Sequence, residues 1–195
     1  VAVARSEQDL ATLKAEIERS GGRCRTIALD VTDGAAVRAG LGGVHADVLV
    51  NNAGVGVMKP LLEMEPDEWA VQLDTNVNAL YHVTRAVLPG MVERGRGYVI
   101  TIGSLAGRNT FAGGTAYTGT KHFVNGWSES LMLEVRDRGV RVSVVMPGSV
   151  ATHFGGTAPA GEDWKLHGED VAEAVAYLVG MPERAHTSRI EMRPA

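Results

Sequence analysis

Cysteine is almost missing from this chain: Cys24 is the only one, so no disulfide framework can staple the fold and no Cys cluster can hold a metal. A free buried thiol is the expected state of Cys24. The six histidines, at 45, 82, 122, 153, 167 and 186, lack metal-ligand spacing. There is no run of Lys and Arg, and 23 acidic against 19 basic residues give a formal net charge of −4. Phosphate backbones demand clustered cations, so nucleic acid is not an expected partner. No apolar stretch approaches the roughly 20 residues that span a bilayer, and no signal-peptide pattern is visible. These absences point to a cytoplasmic protein without a membrane partner. An initial Met is also lacking: the chain opens directly on Val1-Ala2-Val3-Ala4, which reads as a buried strand.

What is present is one pattern from end to end. Its 195 residues suffice for one domain with a sizeable core, and neither repeat nor linker divides them, so 1–195 reads as a single domain. Strand and helix signals alternate, which predicts an α/β fold with a parallel sheet covered by helices on both faces. Ser6 is placed to cap a helix with Leu10, Leu13 and Ile17 at helical spacing, ended by Gly21-Gly22. Arg25–Val31 reads as a strand, and Thr32 or Asp33 as the cap of a short helix stopping near Gly42-Gly43. Asp47–Val50 is a strand running into Asn51-Asn52-Ala53-Gly54. One long helix is predicted from Pro66 or Asp67 to Leu88, then a strand over Gly97–Gly103 and a Gly-rich loop over 105–115. A second long helix starts near Tyr117 and ends near Arg136. Val140–Met146 is a strand closed by Pro147-Gly148. Residues 153–167 read as loop, 169–178 as helix and 190–192 as a last strand.

Four polar residues carry the chemistry. Tyr117 and Lys121 are four apart on a helix and so share a face. Ser104 ends the strand Tyr98-Val99-Ile100-Thr101-Ile102-Gly103, and Asn76 lies in the preceding long helix. A phenol, an ammonium, a hydroxyl and a carboxamide suit proton delivery to a carbonyl oxygen. Free Tyr titrates near about pH 10, and a neighbouring Lys⁺ is expected to lower that value. A Tyr-x-x-x-Lys pair alone could equally be a solvated i,i+4 contact, and Asn76 alone a helix-interior Asn bonded to nearby backbone.

In order along the chain, Asn51-Asn52-Ala53-Gly54, Thr75-Asn76-Val77, Ser104, Tyr117-Thr118-Gly119-Thr120-Lys121 and Pro147-Gly148 resemble the motif set of the short-chain dehydrogenase/reductase family, over the whole chain. The resemblance implies a Rossmann-like doubly wound sheet and a catalytic tetrad of Asn76, Ser104, Tyr117 and Lys121. In it Tyr117 is the general acid/base, and Lys121 tunes it while binding the nicotinamide ribose. Ser104 orients the substrate carbonyl, and Asn76 keeps a water behind Lys121. By the same resemblance Asp30 and Val31 edge an adenine pocket, Asn52 follows the adenosine ribose, and Val150 and Thr152 hold the nicotinamide carboxamide. A turn or cap role is the rival reading for Asp30.

Arg5 bears on the cofactor. NAD-specific members end this strand with an acid on the ribose 2′-hydroxyl, whereas here Ala4 is followed by Arg5 and Ser6. An Arg can pair with a 2′-phosphate that an acid would repel, so NADP is expected rather than NAD, unless Arg5 is simply a solvated surface residue. The family's Thr-Gly-x-x-x-Gly-x-Gly turn does not occur in the chain. It would precede Val1 on a strand lying between those at Val1 and Asp47, and the chain is expected to be N-terminally incomplete. The implied function is NADP-dependent hydride transfer to or from a small ketone or secondary alcohol. The C-terminal segment resembles bacterial members that act on 3-hydroxy acids or 3-oxoacyl thioesters. A non-catalytic nucleotide-binding or scaffolding protein of the same fold, or an inactive fragment, is the alternative. His153, Met58, Phe111, Phe154 and Trp164 fall in loops that frame the family's substrate cleft, and a homodimer or homotetramer is implied through the two long helices.

Overall fold

The two central strands are largely apolar and buried on both faces. A computed structural model describes residues 1–152, 154 and 164–195. In it β4 (Gly97–Ile102) pairs in parallel with β5 (Val140–Pro147). Alternate residues of each strand feed opposite cores. Val99 and Val142 pack with Val37, Leu41, Val87, Met91, Leu131 and Val135 on one side. Tyr98, Ile100 and Val145 pack with Leu178 on the other. Burial of each such aliphatic side chain stabilises the fold by about 1.5–3 kcal/mol.

The first of these cores is closed by three helices: α2 (Gly34–Leu41), α4 (Ala79–Glu93) and α5 (Thr115–Val135). The second is closed by α6 (Gly168–Gly180). Helices thus cover both faces, as expected. β3 (Val48–Asn51) and β6 (Arg189–Met192) flank the central pair, giving the order β3-β4-β5-β6. Ser143 in β5 donates to the Thr187 carbonyl (2.6 Å), so its oxygen accepts from Tyr98 Oη (2.7 Å); the two bonds tie β4 and β5 to the turn that leads into β6.

β1 (Ala2–Ala4) and β2 (Thr26–Ala28) form a separate parallel pair, with α1 (Glu7–Arg19) packed against both. β1 does not pair with β3. A cavity of about 890 Å³ is bounded by both, its walls including Val3, Leu41, Leu49 and Val87.

Local sequence accounts for most element ends. Ser6 caps α1 by accepting from the Asp9 amide. Asp33, not Thr32, caps α2, accepting from Ala35 and Ala36. The predicted strand over 25–31 stops its ladder at Ala28, because Asp30 folds into a turn whose carboxylate accepts from both the amide and the hydroxyl of Thr32 (2.9 and 2.8 Å). Cys24 is half-buried rather than buried.

The predicted long helix from 66 to 88 differs most. It is three pieces: α3 (Pro66–Leu73), a π-helical turn over Asp74–Asn78, and α4. Pro89 stands inside α4, which runs on to Glu93. Residues 105–107 of the predicted loop form a short 3₁₀ turn. Of the segment read as loop over 153–167, residue 153 and residues 155–163 lie outside the described residues.

Candidate active site

The site gathers where β4 ends. Ser104 follows β4 in extended conformation and accepts from the Ala106 amide (3.1 Å), opening the 3₁₀ turn. Gly107 ends that turn against α5: a Cβ on it would lie 2.5 Å from the Lys121 carbonyl oxygen and 2.5 Å from Asn125 Nδ2. Asn125 donates instead to the Gly107 carbonyl (2.9 Å). The loop after Ser104 is therefore clamped to α5 at a distance only glycine permits.

Tyr117 lies in the first turn of α5, where the helix dipole is positive. Burial pushes its phenol above the usual range, and the nearby Ser104 hydroxyl pulls it part of the way back. The lowering expected from Lys121 is not among the causes of this shift; its ammonium stands 5.8 Å from the ring centroid. A phenol held protonated at neutral pH is a proton donor.

Lys121 is 6% exposed and donates to the Ile102 carbonyl (3.2 Å), its one hydrogen bond among the described residues. Burial brings its ammonium down to about 8. Asn76 reaches the same place from the π turn. Its Oδ1 accepts from the Val55 amide (2.9 Å), and its Nδ2 donates to the Val55 carbonyl (2.8 Å) and to Thr120 Oγ1 (3.0 Å). Asn76 is thus bonded to backbone 21 residues away, not to its own helix. One turn earlier Gln72, fully buried, accepts from the Val57 amide (3.1 Å). Two carboxamides four residues apart hold Val55 and Val57 beside the site. Gly54 lies against it: a Cβ there would be 3.4 Å from Asn76 Oδ1 and 3.7 Å from Lys121 Nζ.

The cavity between β1 and β3 runs on to these groups. Arg5, Asp30, Val31, Asn52, Asn76 and Lys121 all line it, mostly at the carboxyl ends of strands, where ligands bind in open α/β sheets. The Arg5 guanidinium is exposed and makes no hydrogen bond or ion pair among the described residues, although the Asp30 carboxylate is near enough to feel its charge. Asp30 takes its turn role and still faces the cavity. Val150 and Thr152 are not in the lining; Val150 bridges to Leu166, and the Thr152 hydroxyl accepts from the Phe154 amide (3.3 Å). Phe154 packs on the Tyr117 ring, centroids 5.7 Å apart. It meets Met58 over Gly56, and Phe111 packs against Gly114 at the start of α5. Trp164 is exposed beneath the Lys165 ammonium. His153 lies outside the described residues.

Comparison with known proteins bears on the same residues. The family model described as short chain dehydrogenase matches residues 1–163. The NADP-dependent 3-hydroxy acid dehydrogenase YdfG of Salmonella typhi is 37% identical, the match spanning 100% of this chain and 84% of that protein. The chain belongs to the short-chain dehydrogenase family. Serine dehydrogenase from Escherichia coli superposes with a TM-score of 0.86 at 36% identity, over 98% of this chain and 84% of that one. An alcohol dehydrogenase from Thermococcus sibiricus, solved with 5-hydroxy-NADP, superposes with a TM-score of 0.93 at 26% identity, over 99% and 84%. The chain is thus an oxidoreductase acting on CH–OH groups, with the Rossmann-like fold expected of it. Among the described residues no helix is long and apolar enough to cross a membrane, and no cluster of His, Cys, Asp and Glu could hold a metal.

Reading the sequence of this short-chain dehydrogenase missed Gln72, Gly107 and Thr120. The Gln72–Asn76 spacing was a usable signal, since both fall on one helix face. Gly107 is one glycine among several in its loop, and nothing local marks it.

Proposed function

We propose that this protein is an NADP-dependent oxidoreductase of small 3-oxo or 3-hydroxy acids and related ketones and secondary alcohols. The observation that carries the reading is the convergence of Tyr117, Ser104 and Lys121 at the end of β4, with Lys121 opening into the cavity that Arg5 also lines. NADP suits the donors on hand: the unpaired Arg5 cation, and a buried ammonium with two N–H groups unused among the described residues. Arg5 would take the 2′-phosphate, Asp30 and Val31 the adenine, and Asn52 the adenosine ribose. Lys121 and Tyr117 would take the nicotinamide ribose, and Val150 and Thr152 the carboxamide. When bound, the nicotinamide supplies or accepts the hydride.

The chain's own residues handle the proton. Tyr117 holds the one that a carbonyl oxygen takes up on reduction, a phenol being protonated at neutral pH. Ser104 donates to the same oxygen and fixes it beside Tyr117. The Lys121 ammonium stabilises the phenolate left behind. Asn76, through Val55, keeps the Gly54 segment against Lys121. The named relatives, a 3-hydroxy acid dehydrogenase and a serine dehydrogenase, support the substrate class.

NADPH oxidation against a panel of ketones and 3-oxo acids tests the reading, with NADH in parallel. Faster turnover with NADPH and at least one 3-oxo acid is expected; NADPH binding without turnover of any carbonyl would sink it. A homodimer or homotetramer through α4 and α5, where Tyr81, Phe123 and Leu133 are exposed, belongs to the same proposal. Sedimentation showing only monomer at micromolar concentration would count against it.

A further inference from the structure

One buried hydrogen-bonded chain joins the π turn to the residue that carries the phenol. Thr120 is 2% exposed. Its hydroxyl donates to the Tyr117 backbone carbonyl (2.8 Å), so its oxygen can only accept from Asn76 Nδ2 (3.0 Å). The other Nδ2 proton goes to the Val55 carbonyl, and Oδ1 takes the Val55 amide. Every proton in the chain is thereby assigned. It runs from Val55, beside Gly54 and Lys121, through Asn76 and Thr120 to Tyr117, and spans three elements distant in sequence.

We infer that Thr120 is a positioning residue: its hydroxyl is the strut that sets the first turn of α5, and with it the Tyr117 phenol, against Asn76 and the Val55 segment. The inference rests on the proposed reading of Tyr117 as the proton donor. Thr120 touches neither the reacting atoms nor the cavity. It acts through two groups that do, Asn76 at the cavity wall and Tyr117 beside Ser104. The back-bond from the Thr120 hydroxyl falls one turn from the phenol-bearing residue. Val has the same shape and no hydroxyl. It would leave an Asn76 N–H buried without an acceptor, so the carboxamide would turn or move and release both ends of the chain.

The test uses the protein as its gene encodes it, with NADPH and the best carbonyl substrate of the panel. Thr120→Val should lower kcat by about 10- to 100-fold, the scale of a small misplacement of a reacting group. The KM values for NADPH and carbonyl should stay near those of the wild type. Thr120→Ser keeps the hydroxyl and should restore kcat. A merely structural role predicts a lowered Tm with unchanged kcat per folded site; that result, or a Ser variant as slow as the Val variant, would overturn the inference. Should Thr120→Val not fold, Thr120→Cys, a weak donor of similar size, takes its place with the same readings. Failure of the underlying reading has a different signature: wild-type turnover retained in Tyr117→Phe removes the proton donor itself and says nothing specific to Thr120.

Discussion

Gly107 and the Lys121 carbonyl are packed so closely that a Cβ on the glycine would stand 2.5 Å from the oxygen. The contact is backbone to backbone, so no flexible side chain can give way. Gly107→Ala should therefore cost about 1–3 kcal/mol through overpacking. It should also push the Ser104 turn off α5 and cut turnover by more than the stability loss explains. Urea denaturation gives the first quantity, and kcat per folded site the second. Wild-type kcat in a folded Ala variant would show that Ser104 tolerates the shift.

Tyr117→Phe should abolish turnover and leave NADPH binding within a few-fold, since it removes the phenolic proton and spares the other groups proposed to hold the cofactor. Fluorescence titration with NADPH, beside steady-state assays, checks both halves. Residual turnover near that of the wild type would disprove the role given to Tyr117.

Lys121→Met should trade activity for stability. Burial lowers the ammonium from 10.5 to about 8, which corresponds to about 3 kcal/mol of penalty on the charged folded state. Below pH 8 both folded and unfolded chains carry the proton, and the penalty is complete. Between about 8 and 10.5 the unfolded chain binds a proton that the folded chain has released, so wild-type stability rises with pH. Removing the charge, less about 1 kcal/mol for the lost bond to Ile102, should make Lys121→Met about 2 kcal/mol more stable at neutral pH. Urea melts should show that advantage shrinking as the pH passes 8. An advantage independent of pH would mean the ammonium is not desolvated.

Arg5→Asp should shift the ratio of kcat/KM for NADPH over NADH toward NADH. It removes a cation from the cavity and sets a second carboxylate near Asp30, where a 2′-phosphate would be repelled. An unchanged ratio would mean that Arg5 does not read the phosphate.

The alternation of strands and helices and the four polar residues were legible because each has a local signature: apolar runs, caps such as Ser6 and Asp33, and fixed spacing between Tyr117 and Lys121. What was illegible depends on distant partners. No Pro or Gly marks Asp74–Asn78 as anything but helix; the π turn is held by Val55 and Thr120, 21 and 44 residues from Asn76. The raised phenol of Tyr117 comes from burial, which follows from how Phe154 and the end of β4 pack around it, not from the Lys four residues on. The strand over 25–31 ends sooner than its residue pattern suggests because Asp30 bonds back to Thr32 in a turn.

The π turn also has a meaning as a phase. It takes up one residue more than an α-helical turn, and each residue of a helix is about 100° of rotation. Beyond it Leu80, Thr84, Val87 and Met91 all point inward, at helical spacing. Before it Gln72 points at Val57, and within it Asn76 points at Val55 and Thr120. In a uniform helix, aiming Asn76 there would turn that inward stripe partly toward solvent. The extra residue lets the two orientations be chosen separately. A one-residue deletion between 74 and 78 would couple them again, so this short stretch should be far less tolerant of length change than of substitution at its exposed positions.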